Sequence, residues 1–181
     1  MRSLPRHQAF VIFTLRMLAR QANFTLFTIN NLRSLVRKIG VYEVIRRYKH
    51  DRIILVDEGT VLSAHNVFVY TSAFYTPEEI ARFATLIPLP DVIVYVRAPV
   101  DSLINRSLQR TDPPREMKSK NRALIEQYIN RAVTMFEQLV EAEEIRGRVL
   151  IVENLESADR GCDVTVDYIT QFILNHELAG K

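Results

Sequence analysis

The sequence predicts an α/β fold, a doubly wound, three-layer parallel sheet. Three short apolar runs rich in β-branched residues are the first observation; they cover residues 52–57, 91–96 and 148–153. Each run is continuous and not alternating, which is typical of parallel strands that are covered on both faces. Helical patterns lie between the runs, and such strands are joined by right-handed helical crossovers. The chain of 181 residues has the length of one domain, so we expect a single α/β domain over residues 1–181.

The segment before the first predicted strand is mainly helical in pattern. An apolar run at residues 9–15 is interrupted by Arg16, which predicts an amphipathic helix and not a secretory signal. Residues 29–48 place apolar side chains on one stripe, although Gly40 could divide this helix in two. Residues 24–29 alternate weakly and could form a further strand.

Four further helices are predicted around the second and third strands. Thr76, with proline next and Glu79 three residues later, predicts a helix start with a capping box. A helix is expected from Pro99 to about residue 110, because proline suits the first turn. Residues 119–144 carry the strongest helical periodicity, and residues 163–177 predict a last helix.

Composition excludes several classes of protein. Hydrophobic residues make up 48% and charged residues 25%, which are globular values. The net charge of +3 is too small to indicate a nucleic-acid partner by itself. No stretch approaches the roughly 20 apolar residues of a membrane span, so no membrane association is expected. Cys162 is the single cysteine, which excludes an intramolecular disulfide and favours the cytoplasm.

The first candidate site is the acidic turn Asp57–Glu58–Gly59, directly after a predicted strand. Carboxylates at the carboxyl end of a parallel strand point into the ligand crevice of such sheets. There Asp57 could hold Mg²⁺ or take a proton from an attacking hydroxyl group. Gly59 would let the backbone turn sharply. In the alternative interpretation, Asp57 merely caps the next helix.

The second candidate site is a group of arginines around a proline-containing loop. Arg106 and Arg110 are four residues apart on one helix face, and Arg115 follows the loop. Three guanidinium groups near one loop would clamp phosphoryl oxygens, with a lid region at about residues 106–120. In the alternative interpretation, this is a solvated basic helix end that the helix dipole favours.

Two weaker candidates complete the sequence-based site. The stretch after the acidic turn contains His65, Tyr70 and Phe74, whose rings could stack on a planar substrate or belong to the core. The turn that begins at Asn154 follows the third predicted strand and could lie against a nucleotide base.

In its order of parts, the chain from about Arg52 onward resembles the C-terminal two thirds of the P-loop nucleoside and nucleotide kinases. These kinases form the thymidylate kinase and deoxynucleoside kinase group. An apolar strand ends in the acid pair Asp57–Glu58; a second strand and a helix with Arg106 and Arg110 follow. A basic proline-containing loop, a long amphipathic helix and a third strand complete the order.

The resemblance implies ATP-dependent phosphoryl transfer with Mg²⁺ to a nucleoside, a nucleotide or another small metabolite, and it leaves a homodimer open. Asp57 and Glu58 match the acidic motif of the family, which serves as base or magnesium-associated acid. The arginine-bearing lid corresponds to Arg106, Arg110 and Arg115, and Asn154 lies in the segment that matches the loop against the ATP base. The phosphoryl acceptor would face Gly59, His65, Tyr70 and Phe74.

Two features depart from the kinase pattern. The acid motif is Asp57–Glu58, where thymidylate kinases commonly have Asp-Arg, so the acceptor could differ. None of the five glycines forms a G-x-x-x-x-G-K-[ST] motif, so no P-loop is present in this chain. We therefore expect an N-terminally truncated kinase, inactive as this chain alone. A degenerate, non-catalytic binding or regulatory module is the main alternative, and a metal-dependent phosphate-ester hydrolase using Asp57 and Glu58 is a third.

Overall fold

A computed structural model describes residues 4–20, 26–48, 53–70, 74–112, 117–118, 121–154 and 161–179. This part of the chain is mostly helical, at 68%. It contains seven α-helices: α1 (Gln8–Ala19), α2 (Leu26–Arg47), α3 (Pro77–Leu86), α4 (Val100–Gln109), α5 (Arg122–Val140), α6 (Glu143–Arg146) and α7 (Gly161–Ala179). Two strands, β1 (Ile93–Arg97) and β2 (Val149–Glu153), form one parallel sheet.

The predicted fold class is therefore wrong, because no three-layer, doubly wound sheet is present in the described residues. The error lies in the first predicted strand: residues 53–56 form no strand, and Leu55 is 81% exposed. A strand needs a neighbour for its backbone N–H and C=O groups. Among the described residues only β1 and β2 form strands, and they pair with each other. The apolar run identifies residue types that suit a strand, but it does not supply the neighbour.

The second and third predicted strands are confirmed, as β1 and β2. Ile93 lies opposite Val149, and Arg97 lies opposite Glu153. The Ile93 amide donates to the Arg148 carbonyl at 2.8 Å, and the Arg97 and Glu153 side chains form an ion pair at 3.3 Å. This parallel pairing spans the helices α4, α5 and α6, as expected for a helical crossover.

The chain divides into two compact units. The first unit comprises Met1–Pro90 and Met135–Glu144, and the second comprises Asp91–Thr134 and Ile145–Lys181. The sheet lies in the second unit, together with α4, α7 and most of α5. The expectation of a single domain stays a prediction.

The core of the first unit is an aromatic cluster around Phe83 of α3. The rings of Phe10 and Phe68 each lie 5.4 Å from the Phe83 ring in edge-to-face geometry, and Phe13 lies at 6.5 Å. Such pairs contribute about 0.5–1.5 kcal/mol each beyond the area that they bury. The predicted amphipathic helix at residues 9–15 is confirmed as part of α1, whose buried stripe includes Phe10 and Phe13.

Helix α2 runs without a break through Gly40, so of the two possibilities that the sequence left open the undivided helix is the correct one. Leu35 and Ile39 are its buried apolar residues, four apart on one face. Residues 26–29 belong to this helix and not to a strand; residues 24–25 lie outside the described part of the chain. Helical hydrogen bonds close within one segment, whereas a strand at this position would need a partner.

The start of α3 is as the sequence predicts. The Thr76 hydroxyl accepts a hydrogen bond from the Glu79 amide at 3.3 Å, and the Glu79 carboxylate accepts one from the Thr76 amide at 3.1 Å. Two otherwise unsatisfied amide groups are thereby bonded, which fixes the first turn of the helix.

The second unit has its own apolar core. Ile104 of α4, Met117, and Ile125 and Ile129 of α5 are buried together. The predicted helices at residues 99–110, 119–144 and 163–177 are confirmed as α4, α5 and α7. Across the described residues, every helix is too short or too polar to span a bilayer.

Candidate functional site

The acid pair Asp57–Glu58 lies in an exposed turn of the first unit. Glu58 has a backbone φ of 53°, in the left-handed region that non-glycine residues avoid. The prediction assigned the sharp turn to Gly59, and this is wrong: Gly59 has no positive φ, and Glu58 makes the turn. Non-glycine residues in this conformation cluster at ligand-binding and catalytic sites, where the surrounding structure maintains the strain.

The residue after the turn anchors it to the first unit. Thr60 is 5% exposed, and its hydroxyl donates a hydrogen bond to the carbonyl of Pro88 at 2.5 Å. Because the hydroxyl is buried, leaving it without this partner would cost about 1–3 kcal/mol. The two carboxylates are therefore carried by a turn whose backbone is fixed on one side.

Lys38, on the middle of α2, interacts electrostatically with both carboxylates of the turn. Partial burial lowers the pKa of Lys38, while the negative charges of Glu58 and Asp57 oppose this shift. The negative charges of the two acids, which lie 19 and 20 positions further along the chain, thus partly offset the effect of burial on this ammonium group.

His65 begins a π-helical turn, His65–Val69. Tyr70 contacts its ring edge-on at a centroid distance of 4.6 Å, and Phe136 stacks on it at 6.3 Å. Burial lowers the pKa of His65 to about 4, and the positive charge of Lys38 adds to this effect. The imidazole is therefore neutral at pH 7.

The remaining predicted acceptor-binding residues are placed differently. Tyr70 is half-buried against His65, whereas Phe74 is 97% exposed. Phe68, on the same stretch, is fully buried.

The predicted lid and base-binding residues lie in the second unit. Arg106 is exposed on α4, and Arg110 is exposed directly after this helix. Arg115 lies outside the described residues. Asn154 is exposed after β2, and its backbone N–H extends the sheet by donating to the Arg97 carbonyl at 2.7 Å. The lid region at about 106–120 is described only at 106–112 and 117–118.

The structure therefore brings together the first-unit members of the predicted site and one residue that sequence reasoning missed. We call the group Lys38, Asp57, Glu58 and His65 the Lys38 site. Lys38 was missed because it is one of several basic residues on α2. Its position three residues after the inward-facing Leu35 was the available signal, since it places the lysine at the border of the buried face.

Two carboxylates and an ammonium group define what the Lys38 site can bind. Mg²⁺ is usually held by one or two carboxylates together with waters and substrate phosphates, so Asp57 and Glu58 fit it as a donor set. Within the described ranges, no group of three or more His, Cys, Asp or Glu side chains could hold a metal ion by itself. Lys38 supplies a point charge that suits a phosphate oxygen.

Comparison of the chain with protein-family models, with curated proteins and with solved structures found no match. The assignment of the Lys38 site consequently depends on its geometry and on the chemistry of its side chains.

Proposed function

We propose that this chain takes part in Mg²⁺-dependent transfer of a phosphoryl group from ATP to a small acceptor, a nucleoside, a nucleotide or a comparable metabolite. The observation that carries the proposal is the acid pair Asp57–Glu58 on a turn with Glu58 in the left-handed region, anchored by the hydrogen bond from Thr60 to Pro88. Phosphoryl transfer needs positioning and charge stabilisation more than covalent chemistry, and this site offers both signs of charge.

Each residue has a distinct role in this proposal. Asp57 accepts the proton of the attacking hydroxyl or associates with Mg²⁺, and Glu58 acts beside it. Lys38 interacts with oxygens of the phosphoryl group and balances the negative charge that collects there. The neutral His65, with Gly59, Tyr70 and Phe74 on the same stretch, faces the acceptor.

The arginines of the second unit complete the proposal. In the second unit, the resemblance to the kinases gives Arg106, Arg110 and Arg115 the role of contacts to the transferred phosphoryl group, and it gives Asn154 the role of a contact to the ATP base. The parallel pairing of β1 with β2 supports this part, because it reproduces the predicted order of strand, arginine-bearing helix, long helix and strand. We place the activity in the cytoplasm, where ATP is available and a single cysteine stays reduced.

Binding and turnover of ATP test the proposal directly. Isothermal titration calorimetry of the full chain with ATP and MgCl₂ measures binding, and transfer from γ-labelled ATP to a panel of nucleosides and nucleotides measures turnover. Lys38→Gln and Asp57→Asn should each weaken the binding of ATP with Mg²⁺ by about tenfold. Arg33→Gln, an exposed change on the same helix, and Asp91→Asn should leave it unchanged.

The outcomes separate the alternatives. Saturable ATP binding without transfer to any acceptor would favour the non-catalytic binding module. Absence of ATP binding would refute the proposed activity for this chain. Release of inorganic phosphate from phosphate esters, lost in Asp57→Asn, would favour the hydrolase.

A further inference from the structure

A cavity of about 230 Å³ lies in the first unit, between the start of α1, the second half of α2 and the end of α3. None of its lining residues belongs to the Lys38 site. It is lined by Arg6, His7, Tyr42, Glu43, Arg46 and residues 86–88. The volume is below the range of about 300–1,000 Å³ for drug-sized ligands, so it suits a small ion or one functional group.

Glu43 is the only acidic side chain in this lining, and its oxygens already have partners. Its side chain is 4% exposed. Oε1 accepts hydrogen bonds from His7 Nε2 at 2.8 Å and Arg46 Nε at 3.1 Å, and Oε2 accepts one from Arg46 at 3.0 Å. Arg47 approaches Oε2 at 3.7 Å. The carboxylate charge is thus neutralised within the wall.

The remaining charge of the lining is positive. Arg46 and Arg6 are permanently charged, and Arg46 alone balances Glu43. Arg6 is exposed and forms no ion pair within the described part of the chain. The Nε2–H of His7 donates to Glu43, and the Nδ1 of His7, an acceptor, has no hydrogen-bond partner among the described residues. One guanidinium group and one imidazole nitrogen are therefore available to a ligand.

The other walls strengthen attraction to an anion. Residues 86–88 contribute apolar surface, and Ile87 and Pro88 are buried. The hydroxyl of Tyr42 donates to the Leu89 carbonyl at 3.1 Å, so the ring is held in place beside His7. Charge interactions are stronger beside apolar walls than in open water, because the local dielectric constant is lower.

We propose that this cavity, which we call the Arg6 cavity, binds a phosphate group or a similarly small oxyanion. Arg6 supplies the charge-assisted hydrogen bonds. Because the Nε2–H of His7 donates to Glu43, the Nδ1 lone pair of His7 accepts a hydrogen bond from a P–OH group of the ligand. Glu43 acts as a positioning residue, because it holds His7 and Arg46 in the wall without facing the ligand. The proposal does not depend on the proposed activity of the Lys38 site.

Titration of the full chain with inorganic phosphate, at constant ionic strength against sodium chloride, tests the proposal by calorimetry. We expect saturable binding that Arg6→Gln weakens by about tenfold or more, the loss of one charge-assisted contact. Arg6 is exposed, so this variant should fold normally. Arg82→Gln, an exposed change on α3 outside the cavity, is the matched control and should bind phosphate like the parent chain.

Lys38→Gln distinguishes this site from the Lys38 site. The inference predicts that this variant keeps phosphate binding. If Lys38→Gln abolishes binding while Arg6→Gln retains it, phosphate occupies the Lys38 site; the Arg6 cavity is then refuted and the proposed function still stands. A titration with no saturable phase, or equal affinity in Arg6→Gln and the parent chain, also overturns the inference.

Discussion

The His7 Nε2 atom lies 2.8 Å from Glu43 Oε1, although 36 positions separate the two residues in sequence. This contact joins the start of α1 to α2, and both side chains are at least nine-tenths buried. Hydrogen bonds from Arg46 and then from His7 lower the pKa of Glu43 to about 2, so the carboxylate stays ionised in a buried position.

Replacing Glu43 by glutamine should therefore destabilise the chain. Glu43→Gln keeps the shape but removes the charge that Arg46 and His7 face, and we expect a loss of about 2 kcal/mol in the free energy of unfolding. Urea unfolding followed by circular dichroism measures it. Glu144→Gln, an exposed change, should stay within about 0.5 kcal/mol of the parent chain, and an equal effect of both changes would contradict the prediction.

His65 should make the free energy of unfolding depend on pH at values above those at which carboxylates titrate. Its pKa is about 4 in the folded chain and 6.5 as the ordinary value, so the unfolded state binds the proton first. The stabilising contribution is complete above pH 6.5 and is lost as the pH falls toward about 4, by on the order of 3 kcal/mol. The stabilising contribution of the ionised Glu43 is lost at lower pH, between pH 4.5 and about 2.

Urea unfolding at several pH values between about 7.5 and about 4.5 measures how the free energy of unfolding changes over this pH range. His65→Phe preserves an aromatic ring beside Tyr70 and Phe136 but cannot titrate. The variant should therefore show a flatter pH dependence than the parent chain. Parallel curves would show that His65 is not the responsible group.

The variant Glu58→Gly should be more stable than the variant Glu58→Ala. Both substitutions remove the carboxylate, but only glycine adopts a φ of 53° without steric cost. We expect the glycine variant to be more stable by about 1 kcal/mol. At Gln127, which is exposed within α5, the alanine variant should instead be more stable than the glycine variant, because glycine is unfavourable in the interior of a helix. The same order at both positions would contradict the left-handed assignment.

The capping box of α3 should contribute measurably to stability. Thr76→Ala removes the acceptor of the Glu79 amide, and we expect a loss of about 1 kcal/mol in the free energy of unfolding. Thr85→Ala is the control, since its exposed hydroxyl donates only to the Arg82 carbonyl within the same helix. Chemical denaturation of both variants provides the comparison; a loss at Thr85 as large as at Thr76 would count against the cap.

Leu55 should tolerate a charged residue. The side chain is 81% exposed, so Leu55→Lys should change the free energy of unfolding by no more than about 0.5 kcal/mol. A buried strand at residues 53–56 would instead lose several kcal/mol, because an unpaired charge would enter an apolar interior. Thermal unfolding distinguishes these cases, and Ile80→Lys, at a buried position of α3, provides the opposite reference.

Much of the local structure could be predicted because its signals are local. The capping box at Thr76 and the helix from Pro99 depend on residues within a few positions of each other. The strands at 93–97 and 149–153 were also found, because their apolar runs could pair with each other. The run at 52–57 has a similar composition, yet its described part, residues 53–57, forms no strand.

The Lys38 site was predicted only in part. The acid pair and His65 stood out by type and order, whereas Lys38 lies on a helix with other basic residues and was missed. Likewise the turn was assigned to Gly59 from its residue type, but the backbone turns at Glu58. Charge interactions and backbone angles of this kind depend on what the rest of the fold places nearby.

The amino-acid sequence by itself determined that the segments of α1, α4, α5 and α7 are helical and where α3 begins. Tertiary structure alone decided which two of the three apolar runs pair, that Leu55 faces solvent, and that His7 contacts Glu43. The physical reason is range: helix caps and periodicity act over one or two turns, whereas strand pairing, burial and ion pairs join residues far apart in the chain.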